Sequence, residues 1–204
     1  RRQRQMCIRD RYHGPAGLTT IALRVHRMTQ ILAAGLEQLA HPIVDDIYFD
    51  TIKVRAPGLA GKLAARARES RINLRLLDAD HLGITLDETT KRENIETLWN
   101  VFATHTSELP DITSLDQSTV ENLPQDLQRS TALLEHANFH RYHSETEMMR
   151  YLRRTASKDV SLGRSMIPLG SCTMKLNAAA EMTAVTWPRF GRCLLYTSDA
   201  ADEG

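Results

Sequence analysis

Cysteine is scarce in this chain. Only Cys7, Cys172 and Cys193 occur, and two of them sit near the ends, so no internal disulfide framework can be drawn and a reducing compartment is expected. Long apolar runs are also missing. None approaches the roughly 20 residues that a membrane span needs, and no signal-peptide pattern is visible. Charge of one sign is absent as well: 26 Lys and Arg stand against 25 Asp and Glu. That balance removes the global electrostatic case for a nucleic-acid partner.

The ends are expected to be foreign. Codons that spell CLLYTSDAADE at Cys193 to Glu203, taken to the second base of the last, can be chosen so that their reverse complement, read in its second frame, spells RRQRQMCIRD. That is residues 1 to 10 without a mismatch. The DNA resembles a transposase adapter, so residues 1–11 and 193–204 are set aside from fold reasoning. Setting them aside removes five Arg and Asp10 at one end and Asp199, Asp202 and Glu203 at the other, leaving 21 charges of each sign from Tyr12 to Arg192. Cys172 is then the one remaining cysteine, and the chain is expected to be a fragment of something longer.

The middle reads as a small α+β layer. HGPAG at 13–17 suits a turn into a helix. Leu18, Ile21, Val25, Met28, Leu32, Leu36 and Leu39 then recur at spacings of three and four, which stacks them on one helical face. His41-Pro42 ends that pattern, and His26 beside the stripe reads as a helix-packing or surface histidine. IYFDTIKV (47–54) is β-branched and aromatic and predicts a strand. A short helix is expected from about Leu59 to Glu69, and INLRLL (72–77) predicts a half-buried strand. A turn at His81-Leu82-Gly83 precedes a short strand at 84–86, and Thr90 with Glu93 predicts a capping box ahead of Ile95, Leu98 and Phe102.

From Thr104 to Leu127 the chain turns polar, carries Pro110 and Pro124 and keeps no period; it reads as a linker. His140, Tyr142 and His143 then precede a second capping box, Ser144 with Glu147, at the start of a helix. Glu145 with the two histidines could ligate a metal, but no helical face fixes their spacing; a polar loop facing a neighbouring domain is the better expectation, and contact of His140 or His143 with an anionic ligand there is the lesser alternative. Farther on, GSCTMK (170–175) precedes NAAAEM. Cys172 as a nucleophile would need a partner base that the neighbouring Lys175 does not supply. Gly170, Ser171 and Thr173 instead suit a loop ending on a helix N-terminus, either a capped helix start or an anion cradle.

YHGPAGL, RVHRMTQILAAGL, YFDTIKV, GITLDETTKREN, DLQRSTALLEHANFHRYHSETEMMRYL and MIPLGSCTMKLNAAAEM resemble the glycine decarboxylase (P-protein) family of the glycine cleavage system. The resemblance runs along essentially all of Tyr12 to Phe190, with TAVTWPRF departing mildly from the family's wording. It implies an α/β enzyme of fold type I, the aminotransferase-like class that binds pyridoxal 5'-phosphate (PLP). Residues 12–103 would be the small C-terminal α+β domain of a first half, 104–127 the connection between halves, and 128–192 the helical arm opening the catalytic second half. The implied reaction releases CO₂ from glycine and transfers the aminomethyl group to the lipoyl group of H-protein. Implied partners are glycine, lipoylated H-protein and a second copy or second half-subunit; neither nucleic acid nor membrane is expected. The family's Schiff-base lysine lies in a His-Lys motif that this chain lacks, and Lys175 does not correspond to it, so the chain alone is expected to be inactive. Ser171, Cys172, Thr173, Lys175 and Asn177, with His143 behind them, are the candidate active-site rim. A bacterial cytoplasm is the expected location, mitochondria the alternative. A non-catalytic helical interaction module is the competing class.

Overall fold

The computed structural model describes residues 2–103, 108–119, 123–158, 180 and 183–188. The chain divides into two compact units, 1–148 and 149–204. The first unit opens with α1 (Arg2–Gln38), broken at Gly14, where φ is +64°. Pro15 follows, pre-set for a first helical turn and lacking an N–H to lose. Beyond the break the expected stripe is buried from Val25 onward, through Met28, Leu32, Leu36 and Leu39, while Leu18 and Ile21 are only partly buried.

Three strands follow: β1 (Thr51–Arg55), β2 (Arg75–Leu76) and β3 (His81–Thr85). Helix α2 (Ala60–Glu69) lies between β1 and β2, and α3 (Arg92–Phe102) closes the layer. The sheet order is β1-β3-β2, antiparallel throughout, with Ile52 opposite Ile84 and Val54 opposite Leu82. Strand alternation sends Ile52, Val54, Leu82 and Ile84 into the core and turns Thr51, Lys53, Arg55, His81 and Thr85 outward. Trp99 fills the centre. Its indole N–H donates to the Leu32 carbonyl at 3.2 Å, and α1 approaches so closely that a Cβ on Gly35 would stand 2.2 Å from the indole. The fold is thus mixed helix and antiparallel sheet, as the α+β expectation requires.

Several boundaries differ from the sequence expectation, each for a local reason. The first strand starts at Thr51, four residues later than expected, because Phe49 is engaged elsewhere: its carbonyl accepts from His26 Nδ1 at 2.9 Å and its ring stacks on the imidazole at 5.0 Å. The second strand shrinks to two residues because the Ile72 N–H closes the end of α2 on the Ala67 carbonyl, with Arg71 at φ +60°. His81-Leu82-Gly83 is not a turn but the start of β3; the turn sits at 78–80, where the Asp78 carboxylate accepts from the Asp80 N–H at 2.8 Å. Thr90 and Glu93 form no capping box. The Thr90 hydroxyl bonds within its own turn to Asp87, and Asn94 Oδ1 caps the Lys91 N–H at 2.9 Å.

The segment expected to be a structureless linker contains α4 (Ile112–Ser118). Asp111 caps it, accepting from the N–H groups of Thr113 and Ser114 at 3.2 and 3.0 Å. Ile112 and Leu115 are buried in the core, and Arg27 and Arg92 both donate to the Asp116 carboxylate. The last helix, α5 (Glu145–Ala156), begins where the second capping box places it, with the Glu147 N–H on Ser144 Oγ at 3.3 Å.

Candidate functional site

Of the candidate rim residues, His143 is described. Ser171, Cys172, Thr173, Lys175 and Asn177 lie outside the described residues. The structure brings His143 to the break in α1. Its Nδ1–H donates to the Tyr12 carbonyl at 2.9 Å, 131 residues away in sequence. Gly14 makes that approach feasible. A Cβ there would meet His143 Cε1 at 2.5 Å and the Phe139 carbonyl at 2.8 Å, and the positive φ would strain any other residue.

Together His13, Gly14, Pro15, Ala16, His140 and His143 line a cleft of about 290 Å³. His140 is oriented much as His143 is, with its Nε2–H donating to the Leu134 carbonyl at 2.9 Å. A carbonyl can only accept, so each of these bonds fixes the tautomer of the neutral ring. The nitrogen left over accepts a hydrogen bond when neutral and donates one when protonated. Arg11, three residues before Gly14, stacks over the Phe139 ring, with the guanidinium carbon 5.7 Å from the ring centroid.

The sequence singled out His140 and His143 but not His13 or Gly14, because only the fold shows that HGPAG and NFHRYH meet. Glu145 does not complete a metal site: among the described residues no group of three His, Cys, Asp or Glu could hold an ion. Carboxylates elsewhere carry local perturbations. The Asp80 N–H and then the His81 ring hold the Asp78 carboxyl below its ordinary value. Thr89 does the same for Asp87, against the opposing effect of desolvation.

With that geometry in place, the comparison with protein families becomes specific. Residues 6–102 match the model of the glycine cleavage system P-protein family. Over this segment, just under half of the chain, the sequence is similar to that family. The match takes in α1 from Met6, the whole sheet and α3 to Phe102, which includes Gly14 but not His143. Five of its residues, 6–10, fall within the stretch whose codons mirror those of the other end. Among the described residues no helix is long and apolar enough to cross a membrane.

PLP enzymes hold the cofactor through a lysine in a cavity. None of the clefts at Pro42–His81, at Leu23–Gln30 or at Gly14 is lined by a lysine. These three clefts therefore offer no lysine anchor for the group, and none of their residues is assigned a step of cofactor chemistry.

Proposed function

We propose that the chain is part of a PLP-dependent glycine decarboxylase of fold type I, which releases CO₂ from glycine and passes the aminomethyl group to the lipoyl group of H-protein. The match of residues 6–102 to the P-protein family is the observation that carries this. Bound PLP supplies the electron sink for such a reaction. The Schiff-base lysine would lie beyond this chain, which contains no His-Lys dipeptide; the chain by itself is inactive and serves as the small domain of a first half and the approach to a second. Ser171, Cys172, Thr173, Lys175 and Asn177 form the rim of the active site in this reading, with His143 in a supporting place. Hydroxyls and an ammonium there would meet the glycine carboxylate before it leaves. The complete enzyme would work in a bacterial cytoplasm as a homodimer or a pair of half-subunits.

The deciding experiment is recovery of the native locus, sequenced outward from the codons of Tyr12 and Arg192. A downstream in-frame His-Lys motif supports the reading, and a stop codon shortly after Gly191 with no such lysine overturns it. In the complete enzyme Thr173→Ala and Lys175→Ala lower glycine–CO₂ exchange by about tenfold or more; unchanged kinetics in both would remove the rim assignment while leaving the family intact.

A further inference from the structure

Elsewhere in the body, a cleft of about 420 Å³ opens between the 42–44 segment and the end of the sheet, lined by Pro42, Ile43, Val44, Arg55, Asp80 and His81. Backbone bonds hold its walls. Val44 N–H donates to the Lys53 carbonyl and Arg55 N–H to the Pro42 carbonyl, at 2.8 and 2.9 Å, while Ala56 N–H ties the 78–80 turn to β1 through the Asp80 carbonyl at 2.7 Å. Arg55 and His81 face each other across β1 and β3. Among the described residues the Arg55 guanidinium has no carboxylate partner, although Asp80 lines the same cleft. Asp80 Oδ1 accepts from the Gly58 N–H at 2.8 Å, leaving Oδ2 open, and the His81 ring is held by both oxygens of Asp78 at 2.8 and 2.9 Å.

One cleft thus presents an unpaired planar cation, a carboxylate with one free oxygen and an apolar wall. We propose that it binds a free α-amino acid with an apolar side chain. Arg55 takes the carboxylate in the two-pronged geometry its guanidinium favours, Asp80 Oδ2 takes the ammonium, and the side chain lies against Pro42, Ile43 and Val44. Opposite charges that share a cleft without meeting are what a zwitterion requires, since either charge alone would leave one wall unpaired. This does not rest on the catalytic reading: the cleft lies in the described body, and its test is binding rather than turnover.

The test is an NMR titration of the full chain with L-leucine, following the amides of Ile43, Val44, Arg55 and His81. One saturating transition is expected, and glycine binds more weakly for want of a side chain. Arg55→Gln and Asp80→Asn each weaken binding by about tenfold, the size of one hydrogen bond to a charged group. Asn at position 80 still accepts from the Gly58 N–H, so D80N removes the charge and keeps the wall. N-acetyl-leucine and leucinamide lose a similar factor. No shift at these amides would overturn the proposal, as would leucine binding indifferent to both substitutions. N-acetyl-leucine binding as well as leucine would also overturn it, because a peptide carboxyl terminus would then be the ligand.

Discussion

The body from Tyr12 to Phe102 and the segment from 108 to 148 hold their shapes by different means. In the body, Ile31, Leu32, Leu36, Ile52, Leu82, Ile95, Trp99 and Phe102 are all nearly inaccessible. In the later segment only Ile112, Leu115 and Met148 are buried among the described residues. What orders it is polar and borrowed from the body: Arg27 and Arg92 on Asp116, and the Tyr12 carbonyl under His143. Apolar burial is non-directional and sums over many contacts, so the body tolerates the loss of any one polar bond. A segment held by a few directional contacts opens locally at far lower free energy.

The hardest blow to that contrast is in the body. Trp99→Ala removes the central side chain and its bond to Leu32, at a cost of about 3–5 kcal/mol read from denaturant midpoints. A loss below about 1 kcal/mol would mean that the body is not organised around Trp99.

Gly14→Ala acts on the seam between the two regions. A φ of +64° with ψ of −178°, a conformation open essentially to glycine alone, costs another residue about 1–3 kcal/mol, and the added carbon displaces the His143 ring. The expected signature is loss of the His143–Tyr12 contact by NMR, with the amides of α3 as protected as before. An intact contact would show that the break in α1 has room to spare.

Much of the body was legible in the sequence because its signals are periodic. The stripe from Val25 to Leu39 and the pair Ile52 and Val54 read out burial directly, and Ser144 with Glu147 placed the start of α5. Boundaries failed where a side chain or a helix end took over a backbone group: Phe49 held by His26, Ile72 used by α2, Thr90 turned back on Asp87. Helix α4 was missed because seven residues offer too little periodicity, although Asp111 ahead of Ile112 and Leu115 is a capping signal. The meeting of Gly14 with His143 spans the chain, and no local pattern encodes it.

Asp116→Asn weakens the later segment alone. The carboxylate accepts from Arg27 Nε at 3.1 Å and from Arg92, and the groups are 30–50% exposed, so screening keeps the loss to about 1 kcal/mol or less. Hydrogen exchange is the measurement: amides of α4 exchange faster while those of α1 and α3 do not. Uniform acceleration across all three helices would mean that the segment unfolds only with the body, and the contrast would collapse.

The smallest effect belongs to Asp87, a polar clasp at the rim of the body. The Thr89 hydroxyl donates to Asp87 Oδ1 at 2.7 Å and its N–H at 2.9 Å. That hydroxyl is the largest cause holding the carboxyl below its ordinary value, with desolvation working against it. A carboxyl depressed in the folded state contributes stability that is present above its unfolded pKa of about 3.9 and is lost as pH falls through the lower folded value. Thr89→Ala therefore flattens the acid limb of a stability-against-pH curve and leaves its neutral plateau slightly lower. Asp87→Asn removes the same pH dependence altogether. Curves for both variants that parallel the parent below pH about 4 would assign the acid limb to other carboxylates, and the rim of the body would then owe its order to burial as its centre does.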